Sequence, residues 1–144
     1  MAEYVANAVQ TVASGQNVLF TEDIDACRRG YVLHREGSGL FTLRGIVNNP
    51  TASSAKYKVS FGANIAITTG GSADPISIAL AIDGESIPTS SAIVTPAAVG
   101  DYFNIYESIY VSVPRGCCYT IAVENTSNQS IDVANANIIV ERTA

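Results

Sequence analysis

The chain has 144 residues, 47% of them hydrophobic and only 15% charged, with a net charge of −5. That length suits one domain able to bury its own core, and no run of about 18 apolar residues exists to span a bilayer. Disorder would need the opposite composition, and eight scattered basic residues do not make the stripe that nucleic acid requires.

Apolar residues recur mostly with period two, which places each set on one face of a pleated strand. Residues 3–12 read as the first strand, because Val5, Val9, Thr11 and Val12 are β-branched and no capping residue opens a helix. Residues 1–13 carry no positive region and no apolar h-region of a signal peptide, so synthesis inside a cell is expected. They are expected to form an N-terminal strand or attachment arm ahead of a single domain over 14–144. Strands are predicted next at 17–20, 31–35, 39–47 and 56–68; in the last, Tyr57, Val59 and Phe61 alternate with Lys56, Lys58 and Ser60. Ile76, Ile78, Leu80 and Ile82 mark the clearest strand, 75–83, and those at 87–95, 101–113, 117–125 and 131–142 complete the set. Turn chemistry separates them, as at Asn48-Asn49-Pro50, Gly70-Gly71, Asp83-Gly84 and Pro114-Arg115-Gly116. Ten short strands without a convincing helix mean an all-β sandwich or barrel.

Catalytic chemistry finds no foothold. The lone histidine, His34, reads as a strand residue with a satisfied ring, and no nucleophile, base and orienting group occur together. No catalytic, cofactor or metal site is expected. The acidic group Glu22, Asp23 and Asp25 reads as a solvated loop rather than a calcium site, which needs several converging oxygens. Three readings stay open for Cys27, Cys117 and Cys118: buried thiols, a disulfide from Cys27 to Cys117 or Cys118, or a metal site with His34. Asn125-Thr126-Ser127 and Asn128-Gln129-Ser130 match glycosylation acceptors, a pattern common by chance.

Three segments carry a family resemblance. Lys56-Tyr57-Lys58-Val59 leading to Asn64 resembles the Tyr-x-Ile/Val…Asn strand of tumour necrosis factor-like jelly rolls. The hairpin from Ile78 through Asp83-Gly84 to Ile87-Pro88, and the ending Ala136-Asn137-Ile138-Ile139-Val140-Glu141-Arg142-Thr143-Ala144, are similar to the bacterial branch of that superfamily. The branch includes the C-terminal domain of collagen-like exosporium glycoproteins and phage or prophage structural proteins. The resemblance spans roughly residues 35–144 and implies a ten-stranded jelly-roll β-sandwich assembling as a homotrimer.

A trimer accounts for the missing charge, since charge is depleted on faces shared between subunits. Tyr102, Phe103, Tyr106 and Tyr110 are candidate interface residues, because tyrosine buries a large ring and keeps a polar tip. Asn135 and Asn137 are candidates for amide contacts, either across a trimer axis or to neighbouring strands. The leading expectation is a non-enzymatic virion component of a phage or prophage, a capsid decoration or fibre head. Its residues 1–13 would add a strand to a capsid or tail protein. The alternatives are a glycan- or receptor-binding module using Asn104, Tyr106 and Tyr110, and a protein of the bacterial cell or spore surface. Neither nucleic acid nor membrane is expected as a partner.

Overall fold

A computed structural model describes residues 2–25, 31–45, 53–116 and 118–143. They form two antiparallel sheets packed face to face. Sheet A has the order β10 (Phe103–Pro114), β6 (Ser54–Ile67), β12 (Ile131–Arg142), β1 (Ala2–Ala6), β3 (Glu22–Asp25), with β2 (Gln10–Val12) also on β12. Sheet B has the order β4 (Val32–His34), β5 (Phe41–Leu43), β11 (Tyr119–Asn125), β7 (Ile76–Ile82), β8 (Glu85–Ser86), with β9 (Ala92–Val94) on β7.

The alternation seen in sequence builds the core directly. Along β6 the inward residues Tyr57, Val59, Phe61, Ala63, Ile65 and Ile67 are all buried, and they meet Phe41, Leu43, Ile76, Ile78, Leu80, Ile121 and Val123 of sheet B. Each fully buried aliphatic side chain contributes about 1.5–3 kcal/mol relative to exposure. The Tyr57 hydroxyl donates toward the carbonyls of Arg44 and Tyr31, so the core ring also ties down the two ends of the β4–β5 hairpin. The two-residue turn Asp83-Gly84 joins β7 to β8 with φ of 50° and 88°, the primed-turn geometry that Asp-Gly favours.

Several boundaries differ from the sequence reading, and the described residues hold twelve strands rather than ten. The first predicted strand is two, β1 and β2, lying end to end along β12. The break falls opposite a bulge in β12 between Ala134 and Asn137, where Asn135 takes a left-handed φ of 54°. Residues 17–20 are not a strand, although Val18 and Phe20 are buried; Val18 N bonds the Val123 carbonyl and Phe20 N bonds the Ser38 carbonyl. The predicted strand 87–95 divides into a 3-10 turn, Pro88–Ser90, and β9. The acidic group expected in a loop instead forms β3 and pairs with β1.

That last pairing bears on the N-terminal arm. Both hydrogen-bonding edges of β1 are occupied, by β12 and by β3, and Ala2, Tyr4 and Ala6 are buried. β1 is therefore a structural part of sheet A, while β2, the later part of the same arm, pairs only with β12 among the described residues.

One edge of sheet A is β10, twelve residues long and paired only with β6 among the described residues. Its inward row runs Ile105, Glu107, Ile109, Val111, Val113; Glu107 is half-buried and is the one carboxylate among these apolar side chains.

Candidate functional site

Among the described residues no further layer packs on the face of sheet A turned away from sheet B, and five strands supply its side chains in register. One row across the sheet is Tyr110, Lys58, Glu141; the next is Ser108, Ser60, Ile139, Glu3; the next is Tyr106, Gly62, Asn137, Val5, Glu22. Beyond these lie Asn104, Asn64 and the bulged Asn135. Ser108, Ser60, Gly62 and Asn137 make part of the face small and uncharged, while across the sheet Lys56 and Lys58 stand on β6, Glu141 on β12, Glu3 on β1 and Glu22 on β3.

Its polar groups are tied down within the chain. Asn104 Nδ2 donates to Asn64 Oδ1 at 3.1 Å, and Asn64 Nδ2 donates to Asn135 Oδ1 at 3.2 Å, an amide row spanning β10, β6 and β12. Ser60 and Ser108 hydroxyls meet at 3.0 Å, and Asn137 Nδ2 donates to the Glu3 carboxylate. Both candidate amides therefore bond neighbouring strands of their own chain.

The tyrosines are different. Tyr106 is 63% and Tyr110 69% exposed, the highest exposures among the described aromatic residues. A Cβ added to Gly62 would sit 3.3 Å from Cδ2 of Tyr106 and 3.0 Å from the Ile105 carbonyl oxygen. The Tyr106 ring therefore lies against a backbone without a side chain, which keeps it low on the sheet. Tyr102 and Phe103 are less exposed, and by register Phe103 belongs to the opposite face of the strand. The four aromatic residues do not form one surface: Tyr106 and Tyr110 share the open face, with Asn104 beside them.

The other sequence candidates resolve separately. Cys27 and Cys117 lie outside the described residues, and Cys118 is exposed. The His34 ring is fully buried, with Nδ1 2.8 Å from Asp23 Oδ1 and Nε2 2.9 Å from the Ser38 carbonyl oxygen, and it stacks on Phe41 at 4.4 Å. Both ring nitrogens are engaged, so His34 has none left for the metal site considered with the cysteines. This contact joins β3 of sheet A to β4 of sheet B, a link that sequence reasoning missed. Among the described residues no three His, Cys, Asp or Glu side chains gather to hold a metal. Asn125 of the first acceptor motif is fully buried, donating to the Val12 and Gln129 carbonyls and accepting from Ser127 N, which closes it to modification. A hollow of about 430 Å³ beside Ile82, Asp83, Glu85, Ile87, Pro88 and Tyr119 has no converging catalytic set.

No protein-family model matches the chain, and no curated protein matches it significantly. Among solved structures, the globular domain of zebrafish complement 1qA protein superposes with a TM-score of 0.57 at 12% identity, covering 96% of this chain and 94% of that one. The fold is that of the complement globular heads and tumour necrosis factor-like jelly rolls. The jelly roll also overlaps the sugar-binding C-terminal domain of EclA, with a TM-score of 0.40 at 16% identity, covering 94% of this chain and 79% of that one. The CBM22-1 xylan-binding domain of Paenibacillus barcinonensis Xyn10C gives 0.37 at 11%, covering 99% and 87%. The last two superpose too loosely to inform function.

Proposed function

We propose that this jelly roll is a non-enzymatic structural building block that forms a homotrimer through the open face of sheet A. The carrying observation is that face: Ser60, Gly62, Ser108 and Asn137 lie beside two tyrosines more than 60% exposed. Isolated exposed apolar residues are ordinary, but large rings beside small residues match the core of a protein interface. Within this reading the protein belongs to a phage or prophage particle as a capsid decoration or fibre head, so its location is the virion. Support for the particle comes from the hairpin Ile78–Pro88 and the ending 136–144, which resemble the bacterial branch that includes exosporium glycoproteins as well as phage and prophage structural proteins. Light scattering after size exclusion tests the assembly. A mass of about 45 kDa, three times 15.1 kDa, is expected, and a monomer overturns the proposal. Proteomics of purified particles tests the location; absence of the chain overturns that part.

A second reading draws on the Tyr106 ring lying over Gly62 beside the Asn104–Asn64–Asn135 amide row. An aromatic platform flanked by fixed amides is chemistry suited to a sugar. The two readings compete for one face, since a trimer that buries Tyr106 leaves no platform. A monomer that binds a glycan array, with binding lost in Tyr106→Ala, would favour the second.

A further inference from the structure

Resting on the trimer reading, we infer that the open face carries its lysines and its carboxylates on different strands so that its lysine side docks against the acidic side of the next copy. The chain's two lysines, Lys56 and Lys58, both project from this face of β6 and are exposed. Lys58 stands directly across from Glu141, yet the two do not close to an ion pair, and among the described residues neither lysine has a carboxylate partner. At the far end Glu3 and Glu22 project from β1 and β3, and Glu22 is exposed. Asp23, their neighbour, is already used by His34. Across the sheet the two positive charges therefore stand on β6, and the three strands beyond it carry Glu141, Glu3 and Glu22 in turn.

Within one chain Lys58 and Glu22 cannot neutralise each other. β6 and β3 are separated by three strand spacings, about 14 Å at about 4.8 Å each, and physiological salt screens exposed charges beyond about 8 Å. A closed ring of three uses head-to-tail contacts, in which one patch of a copy meets a different patch of the next. Such a contact brings the β10–β6 side of one copy to the β1–β3 side of its neighbour. Lys58 of one copy then meets the carboxylates of the next, and such pairs select orientation and partner more than they add affinity.

Sedimentation equilibrium of the wild type, Lys58→Glu, Glu22→Lys and the double variant tests the pairing, with circular dichroism confirming that these exposed substitutions keep the fold. Subunit exchange between labelled copies reads the same differences if the trimer is too tight to dissociate. Each single reversal is expected to raise the dissociation midpoint, or the exchange rate, about tenfold or more, because attraction becomes repulsion. The double variant is expected to return to near the wild-type value. A trimer indifferent to both single reversals overturns the charge pairing while leaving the trimer standing. A double variant no better than the singles overturns it as well. A wild-type chain that is not a trimer overturns instead the reading on which the pairing rests.

Discussion

Replacing Tyr106 and Tyr110 together by alanine is expected to dissolve the trimer and spare the fold of each subunit. A tyrosine covers about 150–250 Å² when fully buried, and these two stand 63% and 69% exposed. Taking about 200 Å² per residue leaves about 130 Å² of each for a second copy to cover, which at about 25 cal/mol per Å² is about 3 kcal/mol. The polar hydroxyl and the Cβ retained in alanine lower this to about 2 kcal/mol per ring. Two rings then weaken each interface by about 4 kcal/mol, roughly a thousandfold in its equilibrium constant. Sedimentation velocity across nanomolar to micromolar concentrations reads the loss, and a melt monitored by circular dichroism shows the subunit still folded. Were the double variant to sediment as the wild-type trimer throughout that range, this face would not be the interface.

Other substitutions test the fold around that face. Gly62→Val places a side chain 3.0 Å from the Ile105 carbonyl oxygen and 3.3 Å from the Tyr106 ring; it is expected to lift Tyr106 and weaken assembly, seen as a smaller mass in light scattering. Asn125→Ala strips the donor from two carbonyls and the acceptor from Ser127 N, and is expected to cost about 2–4 kcal/mol in urea denaturation. His34→Leu leaves the Asp23 carboxylate and the Ser38 carbonyl without their ring partner and is expected to cost about 3 kcal/mol by the same measurement. Deleting residues 2–6 removes β1 from between β12 and β3, and is expected to abolish cooperative folding in a thermal melt.

The long strands β6, β7, β10, β11 and β12 were legible because one of their faces is core and their apolar residues recur mostly with period two. β3 was not, since Glu22, Asp23 and Asp25 are poor strand formers. It pairs with β1, and Asp23 finds His34 on the opposite sheet, a contact visible only in three dimensions. The alternation of Val18 with Phe20 correctly signalled burial but not pairing, because those residues bond carbonyls of two different segments rather than one strand. Pro88 was available as a reason to break 87–95, being unable to donate within a ladder. At the candidate site, the exposed tyrosines were legible from their excess over what one core can hold. The amide row was not: Asn64, Asn104 and Asn135 meet only through the register of three strands, one of them bulged.

Glu107 gives the edge of β10, which has no partner beyond β6 among the described residues, a further meaning. A long strand with unpaired backbone groups invites a second copy to continue the sheet, and repetition of that event is a fibre without an end. A carboxylate on the inward side of such a strand would be carried into the join and stripped of water, a penalty repeated at every added copy. Backbone-to-backbone growth is thereby discouraged along the edge that most resembles a template. Contacts between copies are left to the side chains on the flat of the sheet, where a small number of subunits can close on themselves and growth stops.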